Sequence, residues 1–282
     1  MKLFGRVDAA DQRDSASLKG DLSVIGREAY RPRMKALALA MAMFAAAFGA
    51  ALKPSSAEAG ERPLLVVELF TSQGCSSCPP AEAFLGELSK RGDLLALEQH
   101  VDYWDYIGWK DPFALASMTE RQRRYNQRLG RGYVYTPQMV VDGLAEAIGS
   151  DRGAVERAID TARDTPGPRF EIRVAATAKG LLRVELPQSD FKALCDVFLI
   201  GFDPLHMTKV LRGENGGRTL NNYNVVRELQ HVGFWSGQAA VIDLPKLDIG
   251  TMRSWAVIVQ VEDAGAILGA ARINSETLTS VR

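Results

Sequence analysis

The sequence predicts an α/β layer followed by a mainly antiparallel, sandwich-like β domain, and three observations carry that prediction. An almost unbroken apolar run, Pro63–Phe70, precedes a helical pattern and then a second apolar run, Leu94–Val101. Two of the chain's three cysteines, Cys75 and Cys78, sit where the first run gives way to the helical pattern. Beyond residue 168 the apolar positions alternate as in half-buried strands, and no long helical pattern returns.

The elements follow in chain order. Residues 1–33 are polar and mixed in charge, and read as a non-native or disordered prefix. Residues 34–59 read as a signal peptide. Arg31, Arg33 and Lys35 supply the positive start, a 17-residue apolar stretch runs from Ala36 to Leu52, and Ala57-Glu58-Ala59 fits a small-residue cleavage pattern. A membrane anchor is the competing reading, disfavoured because the stretch is short and alanine-rich. Cleavage after Ala59 predicts a periplasmic or secreted chain with no membrane attachment. From Gly60 to Arg282 it carries 25 Lys+Arg against 28 Asp+Glu, a balance of −3. That is too small to argue for nucleic acid or an anionic surface as partner.

Residues 60–165 form the expected first domain. The run Pro63–Phe70 suits a strand buried on both faces. Ala81, Phe84, Leu85 and Leu88 then fall at i, i+3, i+4 and i+7, one face of a helix that stops near Arg91-Gly92. Leu94–Val101 completes a β-α-β unit. Asp111-Pro112 predicts the start of a further helix, running to about Leu129. Two short strands around Asp142-Gly143 predict a hairpin, and Ser150 is the expected cap of a last helix ending at Asp164–Pro168. Residues 168–282 form the expected β-rich domain, with strand candidates around Phe170–Val174, Leu182–Leu186, Cys195–Phe202, Ala239–Leu244 and Trp255–Glu262. The polar connection from Arg212 to Asn224 is long enough to suggest a functional loop, one expected to fold over the cysteine pair through Glu214 and Asn215.

The chemistry centres on Cys75-Ser76-Ser77-Cys78. A helix start gathers unpaired N–H groups and the positive end of the helix dipole, so an anion is stabilised there. A cysteine at that place is more readily a thiolate, the form that attacks a disulfide. The second cysteine, about one turn on, can resolve the mixed disulfide. Pro79 and Pro80 are tolerated because the first helical turn has no intrahelical use for its N–H groups.

A strand, C-x-x-C on a helix start, a second strand and Thr136-Pro137 opening a hairpin resemble the layout of the thioredoxin fold. More narrowly, "ELFTSQGCSSCPPAE", "HVDYWDYIGWKDPF", "VYTPQMVVDG" and "RGENGGRTL" resemble a secreted thioredoxin-like family catalogued as domain of unknown function 1223. The resemblance implies a thioredoxin-like domain with a helical insertion, but no established reaction. It implies that Pro137, preceded by Thr136, is a cis-proline facing the cysteine pair and shaping a substrate groove. It also implies that Glu68 stands near the place of a buried acid that moves a proton for the second cysteine, offset by one residue. Gly74, rather than Trp, precedes the first cysteine, and Pro137 lies farther downstream than usual.

The expected function is thiol–disulfide exchange in the cell envelope, on protein or peptide thiols and disulfides. Cys75 and Cys78 are the redox centre, Pro137 and Thr136 hold substrate, Glu68 manages the proton, and no organic cofactor is implied. The alternative is an envelope binding module or a copper carrier in which Cys75 and Cys78 are metal ligands, since thiolates suit Cu(I). Zinc is less well served, because Cys195, His100, His206 and His231 are scattered. Cys195 reads as a buried small hydrophobe. Arg121, Arg123, Arg124 and Arg128 read as a solvated basic face rather than a nucleic-acid site. Tyr103, Trp104, Tyr106 and Trp109 serve equally as packing under the inserted helix or as lining for a peptide groove.

Overall fold

The computed structural model describes residues 63–247 and 253–279. The expected prefix, the signal peptide and its cleavage site lie outside the described residues. Strand β1 (Leu65–Thr71) is buried along its whole length and pairs in parallel with β2 (Leu94–His100) through helix α1 (Pro79–Leu88). Alternation along β1 divides the layer into two sides. Leu65, Val67 and Leu69 face a core built with Ala81, Phe84, Leu85 and Leu88 of α1, and with Val155, Ile159 and Ala162 of a later helix. Val66 and Phe70 join apolar clusters on the opposite side, beneath α2 (Ala116–Arg128).

Helix α2 begins later than Asp111-Pro112 predicts. Its cap is Leu115, and no side chain closes the end. Asp111 is a good capping residue spent elsewhere: its carboxyl oxygens accept from Gln73 N and Phe113 N and meet the His100 ring. The hairpin is as expected, with β3 (Gln138–Val141) antiparallel to both β1 and β4 (Ala145–Ile148). Its three-residue loop contains a turn closed by Leu144 N donating to Val141 O, with Asp142 at φ 50° and Gly143 at φ 68°, the two positive values that a type I′ turn requires. Helix α3 (Arg152–Asp164) is capped by Asp151, one residue past the expected Ser150, through a bond from Ala154 N.

After α3 the chain is a largely antiparallel β region. A three-stranded sheet, β5 (Arg173–Ala176), β6 (Leu182–Leu186) and β9 (Ala240–Asp243), runs in the order β5-β6-β9. Its apolar face shares one core with β7 (Cys195–Lys209), β10 (Ser254–Val261) and β11 (Ile267–Ile273). Strand β8 (Thr219–Trp235) closes a long hairpin with β7 and also touches β2 in parallel at Glu98↔Val225. The large sheet therefore runs without a break as β11-β10-β7-β8-β2-β1-β3-β4. A short helix, α4 (Ser275–Thr279), follows β11. The hairpin reaches α1 closely enough that a Cβ at Gly86 would meet the Tyr223 ring at 2.6 Å. Cys195 is buried in the β core, where desolvation pushes its thiol up to about 11.

One polar group in β1 shapes this arrangement. Glu68 is buried, and Arg121 of α2 donates to its two oxygens at 2.7 and 3.0 Å. Gln99 donates to it at 2.8 Å, and the Tyr125 hydroxyl donates as well. Arg121 is thus no part of a solvated face; it is 2% exposed, and its pKa is raised because the Glu68 carboxylate outweighs desolvation. Removing one partner of such a pair leaves a charge buried alone. Arg121→Met is expected to lower stability by about 3–5 kcal/mol, measured by urea unfolding. The double variant Glu68→Leu/Arg121→Met is expected to recover much of that loss.

Candidate functional site

The C-terminal end of β1 delivers the chain into the loop Ser72–Cys78, which turns directly into α1. Cys75 N donates to Ser72 O and Cys78 N to Cys75 O, a tight double turn that sets both cysteines at the helix start. Cys78 is the cap residue, already helical at φ −79° and ψ −36°, and prolines occupy the first two helical positions. Cys75 and Cys78 form a disulfide with Cα atoms 5.5 Å apart. The arrangement is a thiol–disulfide active site at a helix N-terminus, where the backbone favours the thiolate that reduction would release.

Thr136-Pro137 is a cis peptide, and it lies beside this loop by a chain of contacts. Trp104 Nε1 donates to Thr136 Oγ1 at 2.8 Å, and the Cβ of Trp104 would stand 3.2 Å from a Cβ at Gly74. A larger residue before Cys75 would therefore press on Trp104. The segment carrying Thr136 is held from the other side by α2. Gln122 donates to Tyr135 O at 2.7 Å and Asn126 to Tyr133 O at 2.7 Å. The aromatic group divides accordingly: Trp104 bridges to Thr136, Trp109 donates to Gln73, and Tyr103 donates to Gln122, while Tyr106 is exposed.

The sulfur pair is closed from outside. Cys75 and Cys78 are both 0% exposed, although Ser76 and Ser77 between them are exposed. A strap, residues 210–218 at the tip of the β7–β8 hairpin, is bonded across the loop. Asn215 Nδ2 donates to Gln73 O at 3.0 Å and to Cys75 O at 2.9 Å. Glu214 accepts from Ser76 N at 3.1 Å, and the Ser76 side chain, with that N–H second, holds the Glu214 carboxyl below its usual range. Arg218 donates to Asn215 Oδ1 at 2.8 Å and so fixes the orientation of the amide. The expectation that Glu214 and Asn215 fold over the cysteine pair is met by these bonds.

Beneath the loop lies a buried polar cluster that sequence reasoning left apart. His100, at the end of β2, has Nδ1 2.7 Å from Asp111 and Nε2 3.2 Å from Glu98, the latter off the line of a hydrogen bond. Burial alone would lower the His100 pKa, but Asp111 and Glu98 carry it up to about 10. Asp111 is correspondingly held low by the imidazolium, against the effect of its burial. Asn222 ties the hairpin into the cluster, accepting from Gln73 and donating to Glu98 at 2.7 Å. Glu82 of α1 is also buried and accepts from Thr71 at 2.8 Å; desolvation, with Glu98 adding to it, pushes it up to about 8. The one sequence signal for part of this was strand alternation, which puts Glu98 and His100 on one face of β2. Nothing local joined them to Asp111 or Asn222. Among the described residues, no group of three or more His, Cys, Asp or Glu is placed to hold a metal ion.

Comparison with known proteins follows the same outline. Residues 66–262 match the sequence model of a family described as "Protein of unknown function (DUF1223)". The chain is similar to the X-ray crystal structure of a protein from Agrobacterium tumefaciens, at 33% identity and a TM-score of 0.66. The match covers 77% of this chain and 97% of that one. No curated protein matches the chain.

The raised groups set a pH dependence of stability. His100 has a folded pKa of about 10 against 6.5, so its contribution is full below about 6.5 and is lost as pH rises toward 10. Glu82, raised from 4.5 to about 8, also binds more protons folded than unfolded, so its effect is to lower stability as pH rises across that interval. The thermal midpoint is expected to fall steadily from pH 5 to about pH 10. His100→Gln is expected to flatten the upper part of that profile and leave the lower part sloping.

Proposed function

The chain belongs to the DUF1223 family, and we propose that it is a thiol–disulfide oxidoreductase of the cell envelope whose disulfide is guarded by the β7–β8 hairpin. The observation that carries the reading is the Cys75–Cys78 disulfide at the start of α1, beside the cis Thr136-Pro137 peptide. Cys75 exchanges with the partner and Cys78 resolves, because a thiolate released at Cys75 lies on the free N–H groups of the helix start. Thr136 and Pro137 hold an extended partner strand next to the sulfur. The partners are protein or peptide thiols and disulfides. The export expected from residues 34–59 belongs to the proposal, since a stable disulfide suits an oxidising compartment.

Full burial of both sulfurs adds a requirement. Exchange demands an in-line approach to Cys75, so the strap has to lift first. Its hold is modest. The two bonds from Asn215 contribute about 1 kcal/mol each, a barrier that binding of a partner can offset. The strap leaves the pair inert in a crowded oxidising compartment and opens it on engagement.

Two experiments test this reading. Cys78→Ser is expected to trap a mixed disulfide at Cys75, seen as a mass adduct that dithiothreitol removes, whereas Cys75→Ser traps none. Dithiol-dependent turnover of a model protein disulfide is expected for the intact chain and should vanish in both variants; absence of turnover together with absence of any trapped adduct refutes the proposal. For the strap, Asn215→Ala is expected to speed reduction of the Cys75–Cys78 disulfide by a water-soluble phosphine by about tenfold or more, the Boltzmann equivalent of the lost bonds. An unchanged rate means that the strap does not control access.

A further inference from the structure

Reduction of the Cys75–Cys78 disulfide creates a charge problem that the described geometry bears on directly. As an incoming thiolate bonds to Cys75 Sγ, the S–S bond breaks and its electron pair passes to Cys78 Sγ. With the strap closed Cys78 is 0% exposed, so the side of its sulfur that faces the layer meets protein groups rather than bulk water. A protein group on that buried side is placed to supply the proton.

The candidates reduce to one. Glu68, in β1, has both oxygens committed to Arg121, Tyr125 and Gln99 on the α2 side of the sheet. Glu98, Asp111 and the His100 between them are held against one another and by Asn222, Tyr223 N and Gln73 N at the end of β2, with no contact among the described residues to the cysteine loop other than through Gln73. Cys195 lies in the β core, away from the helix start. Glu82 remains. Its backbone N donates to Cys78 O at 3.1 Å, so it sits one turn along α1 from the second cysteine. Residues four apart on a helix share a face, with Cβ atoms about 5–6 Å apart. Both are buried, so that face looks into the layer. The Thr71 hydroxyl, at the end of β1, holds the Glu82 carboxyl at 2.8 Å, under the loop that carries the cysteines.

We propose that Glu82 is the proton donor and acceptor for Cys78, taking the place that the strand carboxyl Glu68 would otherwise fill. The inference rests on the thiol–disulfide reading and assigns its buried proton. In reduction by a dithiol, the Glu82 carboxyl gives its proton to the departing Cys78 thiolate. The second thiolate of the reductant then attacks the mixed disulfide, releasing Cys75 as a thiolate, and Glu82 regains a proton from solvent when the strap is open. In oxidation of a substrate dithiol the disulfide is consumed in the same sense. In regeneration by an oxidised partner disulfide, the Cys75 thiolate attacks the partner's S–S bond and expels one partner thiolate; the Glu82 carboxylate then takes the Cys78 proton, and the Cys78 thiolate attacks Cys75 Sγ and expels the second partner thiolate.

The surroundings suit a carboxyl that carries a proton near neutrality. Burial disfavours its anion most, Glu98 and Asp111 reinforce that, and His100 and the Thr71 hydroxyl oppose it, leaving the group up at about 8. Its pKa is thus close to that of an ordinary thiol, about 8.5, which is the matching that proton exchange between the two needs.

The test follows the two titrations by NMR in the reduced, full chain with labelled Cys and Glu. Glu82 and Cys78 are expected to titrate as a coupled pair, each showing both inflections. In Glu82→Gln the Cys78 thiol is expected to titrate in a single step at lower pH, and reduction of the disulfide by dithiothreitol is expected to slow by about 10²-fold at pH 7 and to lose its inflection near pH 8. Glu82→Asp should restore part of the rate. Thr71→Val keeps the carboxyl but removes its donor, and is expected to move the inflection to higher pH; this variant carries the test if Glu82→Gln fails to fold. A Cys78 titration unchanged in Glu82→Gln, or an inflection unmoved in Thr71→Val, overturns the proposal. Because titration needs no turnover, a coupled pair in a chain without exchange activity would sink the oxidoreductase reading alone, and normal turnover with independent titrations would sink this assignment alone.

Discussion

A carboxylate in the middle of a strand buried on both faces is the constraint from which most of this structure follows. Glu68 cannot be left without charge compensation, and Arg121 supplies it from the inserted helix α2. That pairing fixes the rotation of α2 about its axis. The next residues round, Gln122 and Asn126, then meet the carbonyls of Tyr135 and Tyr133 and the side chain of Gln138. The approach to Thr136-Pro137 is thereby held from behind. Tyr125 extends the same cluster to Gln260 of β10, so one buried ion pair also ties the layer to the β region. Such a pair is weak evidence for stability, but it specifies a register that an apolar contact would leave free.

The β region does more than pack beside the disulfide layer. Its longest hairpin crosses to α1 and β2, and its tip closes the site through backbone bonds that Asn215 and Glu214 make to residues 73–76. Asn222, lower on the same hairpin, enters the polar cluster under the loop. The hairpin is therefore joined to the redox loop both at its tip and lower down, through Asn222. In the proposed function, the added hairpin is what makes access to the sulfur pair conditional.

Two buried acidic groups in this layer have opposite neighbourhoods. Glu68 has an arginine in contact, whereas the groups around Glu82 are mostly acidic, with His100 already shared by Asp111 and Glu98. The first, with every oxygen bonded, holds structure; the second is the group to which the proton role is proposed to fall. Their separation onto the two faces of β1 keeps the structural charge away from the chemistry.

The sequence by itself determined the local order. The apolar run of β1, the i, i+3, i+4 face of α1, the Asp142-Gly143 turn and the C-x-x-C at the strand–helix junction were all legible, because each is set by side-chain periodicity or by backbone geometry within a few residues. Strand β8 and its polar asparagines were not legible as a strand, nor was β11, and Asp111 was misread as a cap. The fate of the polar residues was decided only in three dimensions. Whether Arg121 is solvated or buried and whether Asp111 caps a helix or holds His100 depend on partners 11 to 53 positions away along the chain. A polar group's role is fixed by whatever compensates it on burial, and that partner carries no signal in the residues beside it.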